Sequence, residues 1–352
     1  MRVILVLAMA AVVVVVPKRV EASRAFFVFG DSLVYSGNNN YLATTARADS
    51  LPYGIDYPTH LPSGRFSNGF NLPDLISKRI GSEPTLPYMS PELYGERLLV
   101  GANFASAGIG ILNDTGIQFV DIIRISEQFT FFEQYQDRLS AVAKKVVNKG
   151  LVLMTLGGND FVNNYFLAPI TLRSMEFTVP DFSSYLYLIM QRLYELGSRR
   201  VLVTGTGPLG CIPSQLATKS TNGECVPELQ QAMEIFNPLL DNMIKDLNSQ
   251  LGNQIFISVN AFLMNLNIIT NPEKYGFVTS KIACCGQGPY NGLGLYNLFS
   301  NLCQNRDAYA FWDAFHPTQR ALEFIVDAIF KGTSDLMNPM NLSTIMILDS
   351  NI

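Results

Sequence analysis

The chain has 352 residues, of which 48% are hydrophobic and 15% are charged, and its formal net charge at pH 7 is −4. A weakly acidic balance argues against nucleic acid as a partner, because phosphate binding depends on clusters of Lys and Arg. With two histidines, five cysteines and no Cys-x-x-Cys motif, the chain also offers poor material for a structural metal site.

The N-terminal segment has the pattern of a secretory signal peptide. An apolar run over residues 5–16 follows Arg2, and the small residue Ala22 closes a short polar stretch. The run is too short for a membrane-spanning helix and stops at Pro17, which disfavours an N-terminal anchor. We therefore predict that residues 1–22 are cleaved off and that the rest is secreted. Cleavage there would remove three basic residues and one acidic residue and leave a net charge of −6.

Short apolar runs alternate with longer amphipathic segments along residues 23–352, which predicts strands alternating with helices. The predicted strands are residues 24–30, 97–104, 151–156, 200–204 and 254–259, and the predicted helices are 119–139, 185–196, 227–251 and 318–331. Such alternation implies right-handed crossovers and a three-layer α/β/α fold around a mostly parallel, five-stranded sheet. No linker, repeat or low-complexity run interrupts residues 23–352, so we predict one domain there.

Small and polar residues follow three of the predicted strands. Ser32 comes after the first strand, behind Gly30, while Gly108 and Asn159 lie in the loops after the second and third strands. Because ligands bind beyond the carboxyl ends of strands in such sheets, we expect the three to share one edge. Together they offer a hydroxyl, backbone N–H groups and a side-chain amide, and the N–H donors are those an oxyanion hole needs.

A histidine near the C-terminus is the candidate base. His316 lies just before the helix predicted over residues 318–331, with Pro317 suited to its first position. Hydrolytic chemistry at neutral pH usually needs an imidazole, and Asp313, three residues upstream, can hold that ring in one tautomer. Asp313 could instead cap a helix. The other histidine, His60, is predicted to be a surface loop residue.

A different class of protein is suggested by residues 205–210, which match the Gly-x-Gly-x-x-Gly of dinucleotide sites. However, Pro208 and Pro213 stiffen this segment as a loop, and residues 211–214 are not expected to open a helix. The fingerprint also belongs at the first strand of such a fold. We therefore predict that the chain uses no nicotinamide and no other cofactor.

The cysteines lie in two regions, with Cys211 and Cys225 in the first and Cys284, Cys285 and Cys303 in the second. In a secreted chain this predicts one disulfide in each region, with one member of the adjacent pair left over. Two Asn-x-Ser/Thr sequons, at Asn113 and Asn341, are candidates for glycosylation.

Several blocks, taken in order and spacing, resemble those of one family, the plant GDSL esterase/lipases of the SGNH hydrolases. The blocks are Gly30-Asp31-Ser32-Leu33, residues 64–69, residues 101–106 with Gly108, Asn159, Cys284-Cys285-Gly286, and Asp313-x-x-His316. Each block alone is a weak signal, and the similarity extends over essentially the whole of residues 23–352.

The resemblance implies a flavodoxin-like SGNH hydrolase fold and ester chemistry. It makes Ser32 the nucleophile, His316 the base and Asp313 the residue that orients it, with the N–H groups of Ser32 and Gly108 and the Asn159 amide as oxyanion hole. The implied partner is a small-molecule or polymeric acyl ester of lipid or cutin type, hydrolysed or transferred to another alcohol. The implied location is the apoplast or cell wall, without a stable membrane anchor.

Two positions depart from the family's pattern. Tyr35 stands where the family often has a second aspartate, so a hydrogen bond under the nucleophile loop would be missing. Relatives also tend to have a sixth cysteine near Tyr296, which would explain the odd number here. Two alternatives therefore stay open: a carbohydrate acetylesterase with the same triad, and a secreted binding protein of weak activity.

Overall fold

The computed structural model describes residues 24–166, 179–294 and 300–350. The predicted signal peptide and Tyr296 lie outside these ranges. The described strands are β1 (Phe26–Gly30), β2 (Gly101–Asn103), β3 (Leu151–Thr155), β4 (Val201–Thr204), β5 (Phe256–Val259), β6 (Thr279–Ala283), β7 (Cys285–Gly286), β8 (Asn301–Leu302), β9 (Tyr309–Phe311) and β10 (Met337–Asn338).

Six of these strands form the central sheet, in the order β2-β1-β3-β4-β5-β10. The first five are parallel, and every residue in them is buried. Burial on both faces is what helices on both sides of a parallel sheet require, and it explains the continuous apolar runs. The predicted α/β fold with a mostly parallel sheet is confirmed, and the order of β1 to β5 is the flavodoxin-like one.

The predicted count of five strands is incomplete, because β10 adds an antiparallel strand at the edge beside β5. With only two residues, Met337 and Asn338, it has no apolar run that a sequence pattern could reveal. The second strand is also shorter than predicted, since residues 95–99 form a 3-10 turn.

The described helices surround the sheet. They are α1 (Leu72–Arg79), α2 (Ile125–Leu139), α3 (Ala143–Lys149), α4 (Gly158–Asp160), α5 (Val179–Glu195), α6 (Pro213–Lys219), α7 (Pro227–Leu251), α8 (Ala261–Thr270), α9 (Gln319–Lys331) and α10 (Leu342–Asp349). The bounds predicted for α7 are confirmed: Pro227 occupies its first turn, and Gly252 ends it with a left-handed φ of 64°.

The other predicted helix bounds need correction. The helix predicted from residue 119 begins at Ile125, because Val120 has a φ of 68° that an α-helix cannot contain. The helix α5 begins before residue 185, at Val179. Pro317 is not the first residue of α9: Thr318 is the N-cap, with its side chain accepting from the Ala321 N–H.

The core around β1 is aromatic. Phe27 and Phe29 of β1 pack against Phe132 of α2 with ring centroids 5.1 and 5.2 Å apart, and Tyr135 lies 5.6 Å from Phe27. Phe132 and Tyr135 are fully buried, so both belong to the core rather than to a ligand site. Each buried ring stabilises the fold by roughly 1.5–3 kcal/mol. The strand that leads to Ser32 is therefore firmly held.

Two disulfides link segments in the C-terminal half of the chain, Cys211–Cys225 and Cys284–Cys303. This confirms one bridge in each region, and the residue left over is Cys285, which is free and buried. Around the second bridge, β6 pairs with β9 and β7 pairs with β8.

The glycine-rich segment 205–210 forms a loop that ends in a 3-10 turn at residues 209–211. One expectation about it was wrong: Pro213 does open a helix, α6, with Pro213 at its first position. Gly205 and Gly210 nevertheless lie against protein groups, since an added Cβ would meet the Asn237 Oδ1 at 2.4 Å or the Val226 O at 2.5 Å. The glycines thus serve packing within the chain.

Candidate active site

The loop after β1 places Ser32 at the carboxyl edge of the sheet. Gly30 ends the strand with a φ of 134°, and a Cβ there would lie 2.0 Å from the Thr155 O, so only glycine fits. The buried Gln128 side chain accepts from the Gly30 N–H and donates to the Gly30 carbonyl, both at 3.0 Å. Ser32 itself is half-buried. Its backbone position is therefore fixed through Gly30 by neighbours on two other segments, β3 and α2.

Ser32, His316 and Asp313 form one hydrogen-bonded line. The Ser32 Oγ lies 2.8 Å from the His316 Nε2, and the His316 Nδ1 lies 2.8 and 2.9 Å from the two Asp313 carboxylate oxygens. If Nδ1 carries the proton and donates to Asp313, Nε2 presents its lone pair to the serine hydroxyl. The sequence positions 32, 313 and 316 thus meet at the sheet edge, in an arrangement able to move a proton from the hydroxyl.

The carboxylate of Asp313 is buried and held by several donors. Its Oδ1 accepts from the backbone N–H groups of Phe315 and His316 at 2.9 and 2.8 Å, and its Oδ2 accepts from the Tyr53 hydroxyl at 2.8 Å. Burial acts to raise the pKa of Asp313, but the His316 ring and these donors outweigh it and bring the pKa below its ordinary value of 3.8. The group is therefore charged at neutral pH. Since Asp313 bonds within its own turn, it does not cap α9.

The His316 ring is fixed on its flat side as well. Phe66 stacks on it with ring centroids 4.7 Å apart and planes 24° apart. The turn that carries the ring is closed by the Trp312 N–H, which donates to the His316 carbonyl at 2.7 Å. His316 is only 5% exposed, and its Nε2 faces the Ser32 hydroxyl.

The candidate oxyanion donors lie around the same cavity as Ser32. Asn159 and Gly108 both line it, together with Ser32 and His316. The Asn159 Nδ2 donates to the Ile109 carbonyl at 2.8 Å and its Oδ1 accepts from the Asn163 Nδ2 at 2.7 Å, which orients the amide and leaves its second N–H for a ligand. Gly108 adopts a φ of 91°, and a Cβ there would lie 2.5 Å from the Phe119 ring.

The loop that contains Gly108 is anchored by a second buried carboxyl. Asp160 accepts from the N–H groups of Ile111 and Leu112 at 2.7 and 3.0 Å and from the Thr115 hydroxyl at 2.7 Å. Burial raises the pKa of Asp160 to about 6, although these donors act to lower it. Asp160 therefore ties the Gly108 loop to the turn that carries Asn159.

The cavity beside Ser32 has a volume of about 280 Å³ and a mostly apolar wall. Its apolar side chains are Leu33, Ala46, Phe66, Ala107, Phe119, Val162, Leu209, Ile212 and Phe315. Among the described residues that line it, none is Lys or Arg, and the ionisable ones are Asp31 and His316. The cavity thus offers apolar surface to most of a ligand and only a few polar groups, among them Ser32, Asn159 and His316.

Comparison with known proteins identifies the family. The model of the GDSL-like lipase/acylhydrolase family matches residues 26–329. The chain belongs to this family. It is 62% identical over 338 residues to the GDSL esterase/lipase LTL1 of Arabidopsis thaliana, covering 94% of this chain and 92% of that protein. It is 60% identical over 360 residues to the GDSL esterase/lipase At4g28780 of the same plant, covering 99% and 98%.

This GDSL esterase is therefore a carboxylic ester hydrolase with the SGNH hydrolase fold. Among solved structures, a carbohydrate esterase aligns with 70% of this chain and 57% of its own at 14% identity and a TM-score of 0.32, too remote to inform on the substrate. None of the helices in the described part of the chain combines the length and apolar content needed to cross a membrane.

Three residues of the GDSL esterase site were not predicted from the sequence. Tyr53 has no motif around it that would single it out. Phe66 lies inside the block 64–69, which contributes to the family resemblance but to which the sequence assigns no role in the site. Asp160 directly follows Asn159, but its type and position alone do not reveal that its buried carboxyl accepts from backbone N–H groups and so positions the Gly108 loop.

The remaining predicted positions lie away from the cavity of the GDSL esterase. His60 is exposed, as predicted. Of the two sequon residues, Asn113 is exposed, while Asn341 caps α10 by accepting from the Thr344 N–H at 3.0 Å and donates to the Gly332 carbonyl at 3.0 Å. Tyr35 is fully buried, and its hydroxyl donates to the Asn40 Oδ1 at 3.2 Å, so this departure from the family pattern fills space beside Phe66.

Proposed function

We propose that this GDSL esterase is a secreted enzyme that cleaves lipid-type acyl esters through an acyl-enzyme formed on Ser32. The observation that supports the proposal is the line from Asp313 through His316 to Ser32, which ends at an apolar cavity. A hydroxyl in contact with an oriented imidazole is an activated nucleophile.

The reaction follows from these positions. The Ser32 Oγ adds to the ester carbonyl carbon while its proton passes to the His316 Nε2, and the Asp313 carboxylate stabilises the resulting imidazolium. The negative oxygen is held by the N–H groups of Ser32 and Gly108 and by the Asn159 amide. When the C–O bond to the alcohol breaks, the proton moves from Nε2 to the leaving oxygen. A water molecule, or a second alcohol, then repeats the sequence and frees Ser32.

The shape of the wall favours a lipid-type acyl group over acetate. An acetyl group would leave the side chains of Phe119, Leu209 and Ile212 without contact, whereas an alkyl chain would cover them. Each methylene buried contributes about 0.8 kcal/mol. Cutin-type esters and transfer to a second alcohol fall within the same proposal, because both use this acyl-enzyme.

Turnover of p-nitrophenyl esters from acetate to long chains tests the proposal. We expect wild-type protein to prefer chains longer than acetate and the Ser32→Ala variant to lose activity by roughly 10⁶-fold or to background. The matched control is Ser126→Ala, an exposed serine of α2, which should retain wild-type rates. A preference for acetate would point to an acetylesterase instead. Equal rates in wild type and Ser32→Ala would leave a binding protein.

A further inference from the structure

We propose that exposed apolar residues beside the cavity dock this enzyme onto the surface of neutral ester aggregates. The residues are Leu33, Ile117 and Val120, which we call the apolar rim. This inference rests on the proposed function, since it names the physical state of the substrate that the same site takes.

All three residues of the apolar rim are exposed to solvent. Val120 is 81% exposed, Ile117 is 47% exposed and Leu33 is 37% exposed. Single exposed apolar residues are ordinary, but apolar residues grouped at a binding cavity mark an interaction surface. Leu33 directly follows Ser32 and itself lines the cavity. Ile117 and Val120 flank Phe119, which lines the same cavity from the opposite loop.

Val120 has a backbone conformation that is unfavourable for a valine. Its φ of 68° and ψ of −83° lie outside the left-handed helical region, in a part of backbone space where a β-branched residue is a genuine outlier. The conformation is held from outside: the Thr44 hydroxyl donates to the Phe119 carbonyl at 2.7 Å, and Thr44 and Val120 form an isolated antiparallel bridge. Both the backbone conformation and the exposure to water are unfavourable for a valine at position 120. Its presence there points to a contact with something other than this chain.

The occupant is defined by continuity and by charge. The rim leads directly into the cavity that receives the acyl group, so a surface lying on the rim would present ester chains to Ser32. Asp121 follows Val120, its carboxylate accepting from the Ala43 N–H, and the described cavity lining contributes no Lys or Arg. With acidic residues in excess over the whole chain, an anionic surface would be repelled. The rim therefore fits an uncharged ester surface, such as an emulsified triacylglycerol or a neutral bilayer.

The test separates docking from catalysis by using one substrate class in two physical states. We expect Val120→Asn, with or without Ile117→Ser, to hydrolyse a soluble short-chain p-nitrophenyl ester at the wild-type kcat/KM. On emulsified triacylglycerol its rate should fall about tenfold, which matches the loss of one buried valine side chain. Its thermal stability should not fall, because the Val120 side chain is 81% exposed and contributes little to the core. Val278→Asn is the matched control, since Val278 is 73% exposed and does not line the cavity.

Flotation with phosphatidylcholine vesicles tests docking without turnover. The Ser32→Ala protein should float with neutral vesicles, and adding Val120→Asn should abolish this. A loss of docking with intact soluble activity supports the apolar rim. Equal losses on soluble and emulsified esters, undiminished rates of Val120→Asn on the emulsion, or no flotation of the Ser32→Ala protein would each overturn it. If wild type lacked all ester turnover, the proposed function would fail, while the flotation result would still decide whether the rim docks.

Discussion

The Tyr53 hydroxyl donates to the Asp313 Oδ2 at 2.8 Å, across 260 positions of the chain. That same oxygen lies 2.9 Å from the His316 Nδ1, so Tyr53 and the imidazole share one acceptor. Tyr53 is 2% exposed and its ring contacts both Phe66 and Trp312 edge-on. Tyr53 therefore fixes the rotation of the Asp313 carboxylate about the Cβ–Cγ bond. The orientation of the carboxylate in turn sets how the His316 ring faces Ser32.

Removing the hydroxyl of Tyr53 should weaken this positioning. Tyr53→Phe keeps the ring and deletes one hydrogen bond to a charged group, which contributes about 1.5–3 kcal/mol. We expect kcat on a soluble ester to fall about ten- to thirtyfold with KM nearly unchanged. Tyr94→Phe, at a 70% exposed position, should leave both constants at wild-type values. A rise in KM with constant kcat would contradict the positioning role.

Asp31 should make the fold less stable as the pH rises. It is 2% exposed, and burial raises its pKa from 3.8 to about 7, although the Leu33 N–H and the His316 ring act to lower it. A carboxyl with a higher pKa in the folded than in the unfolded chain binds more protons when folded. Its contribution to the free energy of unfolding therefore declines as the pH rises from about 4 through 7.

The Asp31→Asn variant tests this assignment, because its side chain cannot titrate but keeps the oxygen that accepts from the Leu33 N–H. Urea unfolding at pH 5 and pH 8 should show the variant gaining on the order of 1–4 kcal/mol over wild type between the two conditions. Asp137→Asn, exposed on α2, is the control and should follow wild type at both. If the free energies of unfolding of Asp31→Asn and wild type differed by the same amount at pH 5 and at pH 8, Asp31 would not titrate as described.

The oxyanion donors should be separable by their effects on turnover and folding. Asn159→Ala removes an amide that faces the cavity, and kcat should drop about 10²–10³-fold, while the lost bond to the Ile109 carbonyl should cost only about 1 kcal/mol of stability. Gly108→Ala adds a Cβ 2.5 Å from the Phe119 ring at a φ of 91°, so both kcat and melting temperature should fall. Retention of kcat in Asn159→Ala would remove that amide from the mechanism. Asn163→Ala, which removes one of the two bonds that orient Asn159 and one polar side chain from the cavity wall, should lie between wild type and Asn159→Ala.

The sequence was informative wherever a local pattern governs the structure. The buried runs of β1, β3, β4 and β5, and the small residues behind them, identify the sheet and the positions of Ser32 and Asn159, because a parallel sheet requires apolar strands and leaves its carboxyl edge for loops. Tyr53 could not be found in this way, since its role depends on a contact 260 residues away that no periodicity records. Val120 was predicted to lie in a helix because its neighbours are amphipathic, and contacts from Thr44 override that preference.

The disulfide Cys211–Cys225 should control the shape of the acyl cavity. Cys211 lies between Leu209 and Ile212, and both of these residues line the cavity wall. Replacing Cys211 and Cys225 together by Ser should cost about 3 kcal/mol in the free energy of unfolding, because a loop of 14 residues is no longer closed. A looser wall holds a long acyl chain less well, so KM should rise for long-chain esters and stay the same for acetate.

The bridge Cys284–Cys303 provides the comparison, since it closes a loop of similar length, 19 residues, and of the described residues in that loop only Gly294, which has no side chain, lines the cavity. Its double replacement by Ser should cost about as much stability, again roughly 3 kcal/mol. The ratio of KM values for long-chain and acetate esters should then remain that of wild type. If both double variants changed this ratio equally, the change would reflect overall loosening of the fold, and the wall formed by Leu209 and Ile212 would not select the acyl chain.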